Sequence, residues 1–339
     1  MVRIALAGLG LMGKTHLQAY ERLPGAQVVA VCDPRHDAVS ALGVSVLGAS
    51  PSAYAFFSEM LAAGGFDVVD ICAPTHFHAD YTVSALEAGF HVFCEKPMAL
   101  TVADTERMLE TAERTGRLLA VGQVLRYWPG YREVRALLES GRYGEVRSAE
   151  LSRLVGVPQW SADNWMLDSR LSGSAALDLH IHDVDMVLSL FGAPLGVVSR
   201  GILEKDGSIS QITTLYDFPH RVVQATGGWI CAPAFGLRMR ALFVLERAAI
   251  ELVSQGAVVV TVHPEVGEPY ALPLSDEDGY TAELRDFVEG IEKGRLSDVN
   301  PPRSAADAVA LCLLEMESVR QKAEKVFPSS RVSPPGGPA

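Results

Sequence analysis

The chain has 339 residues, 48% of them hydrophobic and 21% charged, enough for about two ordinary globular cores and unlike a disordered or fibrous chain. A formal net charge of −12 argues against a general nucleic-acid or anionic-membrane binder, which needs clustered Lys and Arg, so the expected partners are small molecules. No apolar run reaches the length of a membrane span, and an apolar strand beginning at Val2 leaves no room for a leader, so a cytoplasmic protein is expected.

Val2 to Gly13 reads VRIALAGLGLMG, an apolar strand entering Gly8, Gly10 and Gly13 at GxGxxG spacing. This is a dinucleotide-binding signature: the first glycine permits a tight turn, the second lets backbone approach a pyrophosphate, and the third lets helix pack on strand. With Lys14 and Thr15 the same run also satisfies GxxxxGK(S/T), the phosphate loop of nucleotide triphosphatases. The next apolar run, Gln27 to Cys32, favours the dinucleotide: it ends at Asp33, twenty residues past Gly13, where such folds place a carboxylate for ribose hydroxyls. A carboxylate there repels a 2′-phosphate, which favours NAD over NADP, while Arg35, a natural partner for phosphate, keeps NADP open.

Strands are expected at 2–7, 27–32, 67–72, 90–94 and 118–121, alternating with helices at 13–22, 52–62, 78–88 and 102–115, the last with Thr101 as N-cap and Gly116 as stop. That alternation predicts a parallel sheet flanked by helices over 1–122. After residue 145 the rhythm changes to runs at 145–154, 195–203, 209–217, 221–230, 238–245, 248–253 and 257–262 with short polar breaks, an open, mostly antiparallel sheet. Helices at 174–190 and 283–291 interrupt this second domain, expected over 123–303. A helix at 304–326 is expected to pack back on the first domain, and the Pro/Gly-rich 329–339 reads as a frayed tail.

Two places concentrate chemistry. The run HVFC leads into Glu95, Lys96 and Pro97, and ligands of open parallel sheets bind beyond the carboxyl ends of strands, so Lys96 points toward the nicotinamide end of a bound cofactor; the alternative is an ordinary surface lysine. In GSAALDLHIHDVD, Gly173 to Asp185, the residues Leu177, Ile181, Val184 and Leu188 make one apolar face. Asp178 and His182, four apart, share another, as a carboxylate orienting an imidazole base would, or as a structural pair. His180 points about 200° round the helix from Asp178. Asp178, His182 and Asp185 fall near a common face but lack zinc spacing, and no metal is expected. The cysteines Cys32, Cys72, Cys94, Cys231 and Cys312 show no CxxC pairing and read as reduced core thiols, with Cys94 beside Glu95 and Lys96 as the one candidate for reactivity.

Taken together, GLGLMGKTH, the run APTHFHADYTVSALEAGFHVFCEKPMALT from Ala73 to Thr101, and GSAALDLHIHD resemble the glucose–fructose oxidoreductase, inositol dehydrogenase and MocA family, over nearly the whole chain and most strongly before residue 190. The resemblance implies a doubly wound Rossmann domain followed by a C-terminal α+β domain whose open sheet mediates oligomer contacts, as a dimer or tetramer. It implies Lys96 as catalytic lysine, Asp178 as its partner near the substrate and His182 as the proton-transfer residue, with the Lys96–Pro97 peptide often cis. Cofactor contacts are expected from Gly8, Gly10, Leu11, Met12, Gly13, Asp33, Arg35, Pro74, Thr75, His78, Glu95 and Lys96. His76 lies in the same cofactor-bordering loop. Substrate contacts are expected from Lys96, Gln123, Arg126, Trp165, Asp178 and His182, with Tyr127, Trp160 and Asn164 in the same segments. His180 departs from the family, where many members carry Gly, and either reaches the substrate pocket or packs inside. The expected activity is hydride transfer between nicotinamide and a hydroxyl-bearing carbon of a sugar, polyol or cyclitol. A cofactor-retaining glycoside hydrolase would instead release free sugar with no net NADH, and a non-catalytic sensor would bind without turnover.

Overall fold

A computed structural model of the chain describes residues 1–35, 51–159 and 161–328, which fall into two compact units. The expected tail at 329–339 and Trp160 lie outside the described residues. The first unit comprises residues through Tyr127, a short segment ending at Trp165, and Glu277–Ala306; the second comprises Trp128–Gln159, Met166–Asp276 and the residues from Asp307 on.

The first unit is built on six parallel strands: β1 (Val2–Ala7), β2 (Ala26–Cys32), β3 (Ser52–Tyr54), β4 (Val68–Ile71), β5 (His91–Glu95) and β6 (Leu119–Gly122), in the spatial order β3-β2-β1-β4-β5-β6. Strand order reverses between β1 and β4, which opens a crevice at their carboxyl ends and makes that edge the natural ligand side. Helices α1 (Leu11–Tyr20), α2 (Phe57–Ala63), α3 (His78–Glu87) and α4 (Val102–Thr115) connect the strands. The Thr101 hydroxyl caps α4 by accepting the Asp104 amide at 3.1 Å, and left-handed Gly116 ends it, as the start and stop signals require. The first turn expected of a helix over 52–62 is instead the short edge strand β3, with the helix delayed to Phe57.

In the second unit, helix α5 (Pro129–Glu139) precedes β7 (Val146–Gly156), and β8 (Gly196–Leu203) through β13 follow, with β9 at Ile209–Phe218, β10 at Arg221–Cys231, β11 at Arg238–Leu245, β12 at Ala248–Gln255 and β13 at Ala257–Pro264. With the two-residue strands β14 (Tyr270–Ala271) and β15 (Lys325–Val326) they make a nine-stranded sheet, ordered β14-β13-β12-β11-β7-β10-β9-β8-β15. Only β7 and β10 run parallel among its paired strands. The buried face alternates with the outer one, as in Phe243, Ala241 and Met239 of β11. Helix α6 (Ile181–Phe191) carries Val184 and Val187 into this core.

The last helices divide differently from the expected domain limits. It is α7 (Gly279–Lys293) that returns to the first unit, where Leu284, Phe287 and Val288 join Leu17, Tyr20 and Leu6 in one core. Helix α8 (Pro302–Gln321) ends earlier than expected, and from Asp307 it belongs to the second unit. There the Cys312 thiol donates to the Ala176 carbonyl and the Ser318 hydroxyl accepts the Ser199 amide. An apolar stripe says that a helix is buried but not against what, which is why the expectation that 304–326 packs on the first domain missed its partner.

Candidate active site

The glycine turn sits at the reversal point of the first sheet. Gly8 has φ of +100°, and a Cβ there would lie 2.5 Å from the Cys72 carbonyl oxygen, so only glycine lets β1 and β4 approach this closely. A Cβ on Gly13 would lie 1.9 Å from the Gly8 carbonyl oxygen. At Gly10 a Cβ would meet nothing within 4 Å, and Gly10 caps α1 without a side-chain bond. The space beside the first turn of α1 is therefore open at Gly10, at the positive end of the helix dipole. Leu11 is exposed and Met12 half-buried beside them, while Lys14 is exposed.

Asp33, at the end of β2, accepts the Leu9 amide at 2.8 Å and a two-pronged contact from Arg35 at 2.9 and 2.8 Å. Burial pushes its pKa up, but these donors prevail and hold the carboxylate below its ordinary value. The glycine turn and the acidic residue are thus joined by one hydrogen bond, which a phosphate loop of the triphosphatase kind does not need.

Lys96 leaves the carboxyl end of β5 half-buried, and the Lys96–Pro97 peptide is cis. Its neighbours are fixed from both sides. The Glu95 carboxylate is turned inward: Oε2 accepts the Lys96 amide at 2.9 Å and Oε1 lies 3.0 Å from His16 Nε2. His78 is buried, with Nδ1 2.8 Å from the Pro97 carbonyl and Nε2 2.9 Å from the Ala73 carbonyl. Burial pushes the His78 pKa down against those two carbonyls, which favour the proton. Glu95 and His78, both expected at the cofactor, spend their side chains instead on the frame that holds the lysine. Pro74 stays half-buried in the loop after β4, and Thr75 is buried there.

His16 and Asp70 were not singled out by sequence. His16 Nδ1 lies 2.8 Å from Asp70 Oδ2, which also accepts the Tyr20 hydroxyl at 3.0 Å. The available signal was a His and a Tyr four apart on the buried face of α1, but their partners are 54 and 50 residues away.

In the second unit, Asp178 lies in a single π turn, Ala176–His180, that runs into α6. Such turns shift the register of a helix and recur at functional sites. Asp178 and His182 are half-buried, whereas His180, Asp183 and Asp185 are buried. Asp183 is paired with Arg153 at 3.1 and 3.2 Å. His180 Nε2 lies 2.8 Å from Glu315 Oε2, and a Cβ on Gly227 would come within 2.6 Å of the His180 Cβ. The residue is an interior strut of its own unit, the packed alternative of the two. Among the described residues, the cluster of acids, imidazoles and thiols close enough together to be compared with an ion site is His16, Asp70 and Cys72.

Of the remaining candidates, Gln123 at the end of β6 is 1% exposed, and both of its amide atoms lack a hydrogen-bond partner among the described residues. Arg126 is buried in the first unit, donating to the Val299 carbonyl at 3.0 Å and to the Ser304 hydroxyl; this explains its burial without a ligand. Trp165 is half-buried, and Asn164 is exposed with φ of +53°. The Cys94 thiol is buried and pushed well up, so it is inert rather than reactive.

Residues 2–123 match the model of an oxidoreductase family with an NAD-binding Rossmann fold, and residues 131–251 match the C-terminal domain of the GFO/IDH/MocA family. Inositol 2-dehydrogenase of Rhizobium meliloti (strain 1021) is 30% identical over 339 aligned residues, covering 96% of this chain and 98% of that protein. D-glucoside 3-dehydrogenase of Escherichia coli (strain K12) is 35% identical over 201 residues, 57% of this chain and 55% of that one. Among solved structures, a levoglucosan dehydrogenase in complex with NADH and levoglucosan shares the fold, with a TM-score of 0.87 at 17% identity, covering 97% of this chain and all (100%) of that one.

Proposed function

The chain belongs to the glucose–fructose oxidoreductase, inositol dehydrogenase and MocA family and is an NAD-dependent oxidoreductase of sugar or polyol hydroxyls, a chemistry that needs a proton acceptor and an alkoxide stabiliser; we propose that His182 and Lys96 supply them. The frame of the first unit fits a dinucleotide. The free amides at the start of α1 and the open approach at Gly10 suit a pyrophosphate, and Asp33, with Arg35 beside it, suits the adenosine ribose. Bound NAD supplies a hydride acceptor, and the chain supplies position, charge and proton transfer.

His182 takes the hydroxyl proton, Asp178 orients the imidazole from the preceding π turn, and the Lys96 ammonium stabilises the alkoxide that develops as the proton leaves. The observation that carries this reading is Lys96 itself, half-buried at the carboxyl edge of a sheet ordered β3-β2-β1-β4-β5-β6 and braced through both flanking residues. Gln123, whose buried amide has donors and acceptor to offer, joins it on the substrate side with Trp165. Replacing Lys96 with Met is expected to abolish NADH formation across a polyol and sugar panel while NAD affinity stays within about twofold, because the lysine acts on the alkoxide rather than on the dinucleotide. Unchanged turnover in that variant would refute the assignment.

The outer face of the second sheet presents Val198, Ile202, Leu215, Val222, Val244 and Val259 to solvent. An apolar face of this kind supports a homodimer or homotetramer built through that sheet, measurable as molar mass by light scattering.

A further inference from the structure

The first unit contains a buried ionic cluster that takes no part in the chemistry just described. His16 is fully buried on α1, with Asp70 of β4 at one ring nitrogen and Glu95 of β5 at the other. The Tyr20 hydroxyl donates to Asp70, and the Cys72 thiol lies 3.2 Å from His16 Nδ1. Tyr280 of α7 sits against the ring, and the charge of Glu283 on the same helix adds to the burial and the Asp70 contact that push the Tyr20 pKa up. These spacings do not suit a metal. Zinc ligands at ordinary bond lengths stand about 3.3–3.7 Å from one another, whereas the His16–Asp70 contact is 2.8 Å, the length of a shared proton. Both ring nitrogens face carboxylate oxygens, which only accept, so the ring satisfies both contacts only when it carries two protons. Burial opposes that charge, but Asp70 outweighs it and the His16 pKa is raised well above the ordinary imidazole value. Glu95 is held below its ordinary value, its burial overcome by the His16 hydrogen bond. Burial keeps the Cys72 thiol protonated and neutral.

The consequence runs to Lys96. The same Glu95 carboxylate that meets His16 accepts the Lys96 amide, and Gly122 of β6 leaves just the room it needs: a Cβ there would press within 3.1 Å of Glu95 Oε1. The carboxylate therefore has one position, set by the imidazolium behind it, and that position fixes the backbone from which the lysine side chain departs.

We propose that His16 is a positioning residue for Lys96: as an imidazolium bridging Asp70 and Glu95, it holds the carboxylate that anchors the lysine amide. The functional half of this statement rests on the catalytic assignment of Lys96; the positional half does not.

The test uses the full chain with NAD bound. In a long-range proton–nitrogen correlation spectrum of histidine-labelled protein, His16 is expected to show two protonated ring nitrogens unchanged between about pH 6 and 9, where an ordinary imidazole titrates. In His16→Gln the Lys96 amide proton is expected to move upfield and to exchange faster, and kcat to fall by roughly 10- to 100-fold, the cost of misplacing a reacting group by a fraction of an ångström, with KM for NAD within about twofold. Glu95→Gln is expected to show the same kcat loss, and the double variant no more than the worse single one, because the two residues act through one bond. A His16 ring that titrates near its ordinary value, a Lys96 amide unmoved in a folded His16→Gln protein, additive losses in the double variant, or stoichiometric zinc in the purified enzyme each overturn the proposal. If Lys96→Met keeps full turnover, the catalytic assignment falls and the functional half with it, while the amide shift still decides whether the bridge positions residue 96.

Discussion

Two glycines of the same turn separate the demands of the fold from those of the ligand. A methyl group on Gly13 would lie 1.9 Å from the Gly8 carbonyl oxygen, so Gly13→Ala forces the turn open by about 1 Å, against backbone that has no rotamer to yield. Overpacking of that kind costs about 1–3 kcal/mol, a fall of about 2–4 °C in Tm for each. A methyl group on Gly10 meets nothing within 4 Å, and its backbone, at φ of −72°, suits any residue. The lost chain entropy of glycine and the poorer N-cap of alanine nearly cancel, and the unliganded Tm of Gly10→Ala is expected to stay within the change produced by about 0.5 kcal/mol. Bound NAD is another matter, because the methyl then stands between the α1 amides and a pyrophosphate; losing one or two charge-assisted hydrogen bonds weakens affinity about 10- to 100-fold. At an NAD concentration a hundred times the wild-type Kd, stabilisation by ligand is about 2.7 kcal/mol, and a hundredfold loss reduces it to about 0.4 kcal/mol. Thermal unfolding with and without NAD reads both quantities at once. A Gly10→Ala protein that gains as much from NAD as the wild type would refute the placement of the pyrophosphate on this turn, and a Gly13→Ala protein with an unchanged Tm would refute the tight packing read at Gly13.

Asp33→Ser removes the carboxylate that disfavours a 2′-phosphate and frees the Arg35 guanidinium, so the ratio of kcat/KM for NADP over NAD is expected to rise by about tenfold or more; an unchanged ratio places cofactor choice elsewhere. His16 has a raised folded pKa, so its contribution to stability is present below the ordinary imidazole value and is lost as pH rises through the folded one; Tm is expected to decline on the alkaline side, and His16→Gln to lack that component. His78 has a lowered folded pKa, so its contribution is lost in the opposite direction, as pH falls from about 6.5 downward, and the two together place a maximum near the ordinary imidazole value. Neighbouring acids of the second unit should behave oppositely: Asp183→Ala takes the carboxylate from buried Arg153 and costs about 3–5 kcal/mol, whereas half-buried Asp178→Ala is expected to keep the Tm and lose turnover, a contrast that circular dichroism and NADH absorbance resolve.

The first sheet was legible because each of its longer strands is an apolar run closed by a turn, and burial on both faces writes such runs into any sequence. β3 escaped because Ser52–Tyr54 is a three-residue edge strand with no apolar run of its own. α5 escaped although Pro129 at its first position is a helix-start signal, since proline after Trp128 reads equally well as a break. β15 is two residues paired to β8, a contact no local pattern encodes. The π turn under Asp178 is likewise a tertiary matter: the i, i+4 spacing to His182 is the same in either helix, and only packing selects the extra residue in the turn.

The site was legible to a different depth. A motif marks every residue that a loop requires, those that would touch a ligand and those that hold the loop in place. Burial and bond partners separate the two. Lys96 and Asp178 remain half-open, whereas Glu95, His78 and Arg126 point into the protein and meet a histidine, two carbonyls, and a carbonyl with a hydroxyl. The braces Glu95 and His78 are polar because each must end on a backbone group at the edge of the sheet, where an apolar side chain has nothing to grip. Glu95 adjoins the lysine in sequence and His78 reaches its other neighbour, Pro97, because a strand end can be aimed only through the residues that adjoin it. Glu95 and Pro97 are therefore as specific to the task as Lys96, and their partners His16 and His78 come from the two helices that start at the turns after β1 and β4. The same two turns that shape the dinucleotide cleft thus also set the direction of the lysine, so a substitution in either helix is expected to reach the chemistry without touching a ligand.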